Sequence, residues 1–261
     1  MSLLAGKVIV IVGGTTGLGR SAAAAFVSAG AQVVVVGRNP DNVAAAVAAL
    51  GDASRGHCGD ACDPATARAA IELAVDQFGG FSGLYHVAGG SGRRFGDGPL
   101  HEITDEGWAQ TLQLNLTSVF YSNRAAVEWF RSAAQPGSIL NCGSVLGFSP
   151  SARHFGTHAY AAAKSALLGF SKSCAATYAR EGIRFNVVAP ALVATPMSQR
   201  AQENEAIMAF ARAKQPLAEN AIRLAEDVDG IAVYLMSDQS RGVTGQVMSV
   251  DWGWAVSDAI P

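Results

Sequence analysis

The chain has 261 residues and a formal net charge of -2, with 49% hydrophobic and 15% charged residues. This composition supplies a large core and excludes an intrinsically disordered chain, and the lack of a basic excess argues against nucleic acid as a partner. We expect one domain over residues 1–261, because this length approaches the upper limit for a single hydrophobic core.

Short apolar segments with strand character alternate with segments of helical periodicity along the chain. Five of the apolar segments are nearly continuous, as strands covered on both faces of a sheet require. They span residues 7–13, 31–37, 83–89, 137–143 and 183–189, and weaker strand candidates span residues 55–60 and 245–251. The alternation predicts an α/β fold with a single doubly wound, Rossmann-type parallel sheet and helices on both faces.

Proline and glycine mark the ends of the predicted helices. Pro40 and Pro64 stand where a first helical turn tolerates proline. Gly30, Gly51 and Gly79 stand where helices end.

The first predicted strand runs into a glycine-rich turn, IVGGTTGLGR, at residues 11–20. Gly13 permits a tight turn, Gly17 lets the backbone approach a pyrophosphate, and Gly19 lets helix and strand pack closely. The N–H groups at the start of the following helix attract phosphates. The turn predicts a dinucleotide site, and the alternative is a plain strand-to-helix turn. The residues assigned to the phosphate site are Gly13, Thr15, Thr16, Gly17, Leu18 and Gly19.

The second predicted strand ends in Gly37 and Arg38, where an NAD site usually places an acidic residue for the ribose hydroxyls. An arginine there can pair with a 2′-phosphate through its forked guanidinium. The sequence therefore favours NADP over NAD as the cofactor. The alternative is that Arg38 is a solvated loop charge.

Asp60, at the end of the weaker strand candidate, is predicted to hold the adenine edge, and the next residue, Ala61, is also assigned to the cofactor. The alternative for Asp60 is to cap the helix that starts near Pro64. Asp63 is better placed for that role, because it directly precedes the first turn.

Tyr160 and Lys164 are four residues apart in a helical segment, so their side chains share one face. A neighbouring ammonium favours the phenolate and lowers the pKa of the phenol, as acid–base catalysis near neutral pH requires. Ser144 follows the end of a predicted strand, 16 residues before Tyr160, and can donate to a substrate carbonyl oxygen. Asn115 is a polar residue in an apolar helical segment, and its alternative is a buried, purely structural asparagine.

Taken together, these motifs resemble the short-chain dehydrogenase/reductase family over essentially the whole chain. The family's T-G-x-x-x-G-x-G turn corresponds to residues 12–19, and its Y-x-x-x-K pair corresponds to Tyr160 and Lys164. Its catalytic serine and active-site asparagine correspond to Ser144 and Asn115.

Two further segments carry the resemblance. RFNVVAPALVATPM resembles the family's R-V-N-x-V-x-P-G-x-x-x-T-P-M, and HVAG stands where the family has N-N-A-G. The resemblance implies that Thr195 meets the nicotinamide amide and phosphate region. The further residues assigned to the cofactor are Ala88, Gly89, Pro190, Val193 and Thr195, together with Tyr160 and Lys164.

The resemblance also implies a role for each candidate catalytic residue. Tyr160 is the general acid in reduction and the base in oxidation, and Ser144 polarises the carbonyl. Lys164 lowers the pKa of Tyr160 and holds the nicotinamide ribose hydroxyls. Asn115 holds a water that relays protons to solvent through Lys164, and the cofactor supplies the hydride.

Four positions depart from the family's pattern without removing a reacting group. They are Val12 for threonine, Val87 for asparagine, Ala191 for glycine after Pro190, and Trp252 for the first glycine of a late V-D-G-G. The first three departures bear on local stability or cofactor geometry.

The segments predicted beside the substrate carry basic residues and histidines. Arg93 and Arg94 are expected either to meet a substrate carboxylate or phosphate or to lie at the surface or a subunit contact. His154 and His158 either bond a polar substrate or are exposed loop residues. A mobile lid is expected around residues 196–216.

The remaining expectations concern lining and assembly. Met208 and Phe210 are predicted to line the pocket, and Trp252 and Trp254 are predicted outside the core, at an interface. Members of the family are commonly tetramers that pair the helices around Asn115 and Tyr160, so a homotetramer, or a homodimer, is expected.

Other features predict a cytoplasmic protein without a membrane anchor or a metal. The first ten residues lack a basic segment followed by a long apolar one, and no apolar run reaches the roughly 18 residues of a membrane span. The four scattered cysteines, with no second ligand pair after Cys58 and Cys62, fit free thiols in a reducing compartment.

The predicted function is NAD(P)-dependent hydride transfer to or from a small-molecule carbonyl or secondary alcohol. A 3-oxoacyl, sugar, steroid-like or other ketone substrate is left open. The alternatives are an epimerase or dehydratase on the same scaffold, or a non-catalytic nucleotide-binding regulatory protein. A regulatory protein need not keep all four candidate catalytic residues.

Overall fold

The structure is a computed structural model that describes residues 2–219 and 221–258. The described strands are β1 Val8–Val12, β2 Gln32–Gly37, β3 Ser54–Cys58, β4 Gly83–His86, β5 Gly137–Cys142, β6 Ile183–Pro190, β7 Val193–Ala194, β8 Arg223–Leu224 and β9 Val247–Val250. The described helices are α1 Gly17–Ser28, α2 Pro40–Leu50, α3 Thr66–Phe78, α4 Asp105–Leu112, α5 Ser118–Ser132, α6 Ala152–Phe155, α7 His158–Tyr178, α8 Gln199–Gln202, α9 Glu205–Lys214 and α10 Asp229–Met236.

Seven strands form one parallel sheet in the order β3-β2-β1-β4-β5-β6-β9, and β7 pairs with β8 separately. The predicted α/β, doubly wound fold is therefore confirmed. The two weaker strand candidates form the two edges of the sheet. Because β1 lies between β2 and β4, the chain reverses its direction of winding beside β1, and ligands bind at such a switch point.

The sheet is covered on both faces, and β1 is apolar at all of its positions, whereas the edge strand β3 carries polar residues. On β1, Ile9 and Ile11 face α1, α2 and α10, whereas Val8, Val10 and Val12 face α3, α5 and α7. Strands buried on both sides need this continuous pattern instead of an alternating one. The sheet thus separates two apolar cores and leaves its carboxyl ends free to form a site.

The helix ends follow the proline and glycine pattern with one shift. Pro40 begins α2, where the Asn39 side chain accepts a hydrogen bond from the Asn42 N–H at 3.0 Å. Helix α3 begins at Thr66. Pro64 therefore lies in the preceding turn, where the Asp63 carboxylate accepts the Ala65 N–H at 2.9 Å.

Within residues 2–219 and 221–258, no helix is both long enough and apolar enough to cross a membrane.

Asp229, the first residue of α10, joins that helix to α1 through a 2.6 Å hydrogen bond donated by the Ser21 hydroxyl. Burial is the main cause that raises the pKa of this carboxyl to about 6, and Glu226 adds to the rise. Between the ordinary value and about 6, the folded protein binds a proton that the unfolded chain does not. The free energy of unfolding therefore falls as pH rises through this window.

We expect Asp229→Asn to weaken this pH dependence, since the amide oxygen still accepts from Ser21 but carries no charge. The variant should gain about 1 kcal/mol at pH 7 and little at pH 4, a figure reduced because the group is only about half-buried. Urea denaturation at both pH values measures the difference. Asp52→Asn at an exposed position is the control, and an unchanged pH dependence in Asp229→Asn would contradict the assignment.

Candidate active site

A cleft of about 490 Å³ opens at the carboxyl ends of β1, β4, β5 and β6. The strands end there together because parallel strands present the same ends to one edge of the sheet. The predicted residues that line this cleft are Gly13, Thr16, Gly17, Leu18, Ala88, Gly89, Ser144, Tyr160, Lys164, Pro190, Val193 and Thr195.

The glycine turn between β1 and α1 packs too closely for side chains. Gly13 has a φ of 87°, and a Cβ placed there would lie 2.6 Å from the Ala88 nitrogen. A Cβ on Gly19 would overlap the carbonyl oxygen of Gly13. Gly17 has a φ of 51°, and its nearest neighbour to an added Cβ is Thr195 at 3.4 Å. The backbone of the turn is thereby open toward the cleft.

The start of α1 fits a bound pyrophosphate. Its N-cap is Thr16, and in the described part of the chain no side chain caps the helix and no acidic residue lies in its first turn. The first-turn N–H groups and the positive end of the helix dipole therefore point at the cleft without a competing anion.

Several predicted cofactor residues lie beside the cleft and do not line it. Thr15 is buried, with its hydroxyl 2.5 Å from where a Cβ on Gly37 would lie. Arg38 and Asp60 face each other at 3.8 Å with half-exposed side chains. The Asp60 carboxylate also accepts the Cys62 N–H at 2.9 Å, which closes the turn containing Ala61. Asp60 thus caps a turn and not α3, and its side chain remains partly available.

Ser144, Tyr160 and Lys164 come together at the end of β5. The side chains of Tyr160 and Ser144 both line the cleft there, and the Ser144 hydroxyl acts on the Tyr160 phenol. The Ser144 hydroxyl also accepts the Leu146 N–H at 3.2 Å. The Lys164 ammonium is buried, donates to the Cys142 carbonyl at 2.7 Å, and lies 5.6 Å from the centre of the Tyr160 ring.

The pKa of Tyr160 is shifted in the direction opposite to the one that the sequence predicts. Burial of the hydroxyl raises the pKa of Tyr160 above its usual range, Cys142 raises it further, and the Ser144 hydroxyl opposes the rise. Burial also lowers the pKa of Lys164. Desolvation of the phenol therefore outweighs any help from the nearby ammonium, because the charged form is disfavoured in a low-dielectric interior.

Asn115 lies in a π-helical turn, Gln113–Thr117, between α4 and α5. Its amide nitrogen donates to the Thr111 carbonyl at 3.0 Å, and its amide oxygen accepts the Gly90 N–H at 3.0 Å. Asn115 is fully buried. This side chain fastens the loop after β4, as the structural alternative holds, and its role in a proton relay stays a prediction.

Asp97 is a residue of the site that the sequence did not single out. Its buried carboxylate accepts the Ala159 N–H at 3.0 Å and the Tyr160 N–H at 2.8 Å. An acid at the start of α7 compensates the N–H groups and the dipole of that helix. Asp97 therefore fixes the backbone of Tyr160, and only its position between two glycines hinted at a defined turn.

The basic residues near the substrate end differ in position. Arg93 lines the cleft and donates to the His154 carbonyl at 3.1 Å. Arg94 is exposed, with its guanidinium 4.5 Å from the centre of the Phe95 ring. The His154 ring packs at 5.3 Å from Phe210, and His158 is exposed at the start of α7.

Three aromatic side chains, which we call the aromatic wall, pack together at the substrate end: Phe155, Phe210 and Trp254. The prediction that Trp254 lies outside the core, at an interface, is wrong. Trp254 is 1% exposed and lines the cleft, with ring centres 5.5 Å from Phe155 and 5.9 Å from Phe210. Its indole N–H donates to the Ser149 carbonyl at 3.3 Å. Trp254 therefore lies in the core of one chain, and Phe210 supports the wall from behind.

Two neighbours of this wall also differ from expectation. Met208 is buried and does not line the cleft. Trp252 is partly buried and has a φ of 50°, in the left-handed region that favours glycine. This backbone geometry explains why the resembling family has glycine at that position.

In the same described residues, no cluster of three or more metal-binding side chains occurs.

Comparison with known proteins gives consistent matches over nearly the full chain. A family model described as enoyl-(acyl carrier protein) reductase matches residues 12–255. Momilactone A synthase of Oryza sativa subsp. japonica is 37% identical over 257 residues, covering 97% of this chain and 91% of the relative. The 3-alpha-(or 20-beta)-hydroxysteroid dehydrogenase of Mycobacterium bovis is 35% identical over 250 residues, covering 96% and 90%. A solved short-chain type dehydrogenase/reductase from Mycobacterium ulcerans has a TM-score of 0.88 and 29% identity, covering 97% and 91%.

We expect Asp97→Ala to lower the free energy of unfolding by about 1–3 kcal/mol, because two buried N–H groups lose their acceptor. Asp97→Asn should lose less, since its amide oxygen can still accept one N–H. Chemical denaturation of both variants tests this role. Asp52→Ala is the exposed control, and equal stability of Asp97→Ala and that control would contradict it.

Proposed function

Because this chain belongs to the short-chain dehydrogenase/reductase family and is a nicotinamide-dependent oxidoreductase, we propose that Tyr160, Ser144 and Lys164 carry its chemistry. The reacting group is a carbonyl or a secondary alcohol. The observation that carries the proposal is that the Tyr160 phenol and the Ser144 hydroxyl line the same cleft and act on each other. It puts a proton donor and a polarising hydroxyl at one point.

The residues of the cleft fit a nicotinamide dinucleotide, which supplies or accepts the hydride when bound. The uncapped start of α1 and the backbone of the glycine turn bind its pyrophosphate. The side that receives the nicotinamide is formed by Ala88, Gly89, Pro190, Val193 and Thr195.

Tyr160 holds and moves the proton. With its pKa raised by burial, the phenol keeps its proton at neutral pH and can donate it to a carbonyl oxygen. Ser144 donates to the same oxygen and stabilises the negative charge that develops there. In the oxidative direction the phenolate must form, and the Lys164 ammonium is the nearby charge that favours it.

The supporting residues keep this geometry. Asn115 holds the loop after β4 through Gly90, and Asp97 holds the start of α7. Both contacts are partly buried and join segments distant in the chain, so they limit the movement of Tyr160 relative to the cofactor side of the cleft.

The body of the substrate is apolar. Leu192 and Met197 join the aromatic residues Phe155 and Trp254 along the substrate end of the cleft. A ketone or alcohol carried on an apolar skeleton fits such a surface, in line with the hydroxysteroid named for one relative.

NADP is the proposed cofactor. The ion pair between Arg38 and Asp60 is long, and both side chains are half exposed, so it contributes little and leaves the guanidinium available. A 2′-phosphate would compete well for it, since arginine binds phosphate through two parallel hydrogen bonds.

Assembly and location complete the proposal. Trp108 on α4 and Phe120 on α5 are exposed large apolar side chains, which support a homotetramer or homodimer formed through these helices.

We treat residues 1–261 as one domain with a lid around residues 196–216. The four cysteines are free thiols, which supports a cytoplasmic location.

We expect Tyr160→Phe to bind cofactor normally and to lose about a hundredfold to ten-thousandfold in turnover, because only the transferable proton is removed. The assay follows nicotinamide absorbance with a panel of apolar ketones. Tyr178→Phe, at the other end of α7, is the matched control and should keep the wild-type rate. More than about a tenth of that rate in Tyr160→Phe would contradict the assignment.

We expect the wild-type protein to bind NADPH at least about tenfold more tightly than NADH, since one charge-assisted hydrogen bond is worth about that much. Arg38→Asp should reverse the preference, because aspartate repels the phosphate and accepts bonds from ribose hydroxyls. Isothermal titration calorimetry with both cofactors measures it. Arg68→Asp on α3 is the control. Equal or tighter binding of NADH than of NADPH by the wild type would show that Arg38 contacts solvent and not the cofactor.

A further inference from the structure

A second cavity, of about 510 Å³, adjoins the catalytic cleft and is strongly basic. Arg93, Arg153 and Arg200 line it together with His154 and His158, and no acidic side chain does so among the described residues. We call this cavity the arginine pocket. Such a concentration of guanidinium groups is the chemistry that recognises carboxylate and phosphate.

The arginine pocket and the catalytic cleft share two walls. Arg93, from the loop after β4, and Arg200, from α8 in the expected lid, line both cavities. They donate to the same acceptor, the His154 carbonyl, at 3.1 and 3.3 Å. A ligand with its reacting carbon at Tyr160 can therefore reach these guanidinium groups with another part of its skeleton.

The three arginines make no ion pair in the part of the chain that the structure describes. No carboxylate lies within ion-pair distance of Arg93, Arg153 or Arg200 there. Asp97 is the acid close enough to affect Arg93, but both of its oxygens already accept N–H groups of α7. Each guanidinium has five N–H groups, and most remain free to bind a ligand.

Two further observations agree with an anion-binding role for this pocket. Burial and the charge of Arg200 both lower the pKa of Arg93, so these cations are held close at an energetic cost. The Nε2 atom of His154 is buried and has no hydrogen-bond partner among the described residues. A carboxylate or phosphate in the pocket would relieve the repulsion and could satisfy this nitrogen.

We propose that the arginine pocket binds an anionic group of the substrate, a carboxylate or a phosphate, while the carbonyl or alcohol lies at Tyr160. This inference rests on the proposed function and narrows the substrate class to apolar ketones or alcohols that end in an anion. Arg93 and Arg200 are the specificity-determining residues. The apolar wall receives the skeleton between the two ends.

Binding of matched acids and esters tests the inference without requiring turnover. Isothermal titration calorimetry compares levulinate and its longer methyl-ketone homologues with their methyl esters. We expect at least one acid to bind about tenfold more tightly than its ester, with the difference shrinking as salt is added. Dihydroxyacetone phosphate against dihydroxyacetone is the phosphate arm, and whichever arm shows the difference identifies the anion.

Variants of single residues identify which side chains produce the preference for the anion. Arg93→Gln and Arg200→Gln should each remove most of the preference for the anion, measured as the ratio of the affinities for the charged and the neutral partner, and urea denaturation checks that both variants fold. Arg200→Lys should keep part of the preference. Arg94→Gln, an exposed neighbour outside both cavities, should leave it unchanged.

Equal affinity for charged and neutral partners in both arms would overturn the arginine pocket as an anion site. So would a preference that survives both glutamine variants. Turnover of neutral ketones alongside either result would keep the oxidoreductase assignment, so the two failures are distinguishable.

Discussion

The contact between the glycine turn and the two strands beside it constrains everything built on the sheet. No side chain fits at Gly13 or Gly19, because the Ala88 backbone and the Gly13 carbonyl occupy the space. This close packing brings the start of α1 to the edge of β1 and β4, so that the N–H groups of the helix meet the same cleft that holds Tyr160. The proposed phosphate end and the proposed reacting end of the site thus lie at the same edge of the sheet.

The loop after β4 connects these two ends through three hydrogen bonds. Asn115 holds it at Gly90, beside the cofactor side, and Asp97 carries it to the start of α7. Arg93 then joins it to the His154 carbonyl at the substrate end. Each bond joins segments that are distant in the chain. The loop therefore fixes the distances between the cofactor side of the cleft, the start of α7 and the substrate end.

How far the sequence predicts this arrangement depends on whether a feature is local. Continuous apolar strands, the glycine turn and the Tyr-x-x-x-Lys spacing are local patterns, and the structure has the predicted sheet and brings these side chains into one cleft. The contacts of Asp97, the burial of Trp254 and the meeting of Arg93 and Arg200 at the His154 carbonyl depend on partners far along the chain. The pKa of Tyr160 is raised and not lowered, because burial has a larger effect than the nearby Lys164 charge. The four-residue spacing of the pair does not reveal how deeply the phenol is buried.

The position of Trp254 gives the protein a native optical reporter. Of the four tryptophans in the chain, Trp254 is the one that lines the cleft, and the Lys214 ammonium lies 5.8 Å from its ring. A molecule that displaces water from the aromatic wall changes the polarity around this indole, and with it the wavelength and intensity of its emission. Occupancy of the substrate end can therefore be followed by tryptophan fluorescence in the unlabelled protein.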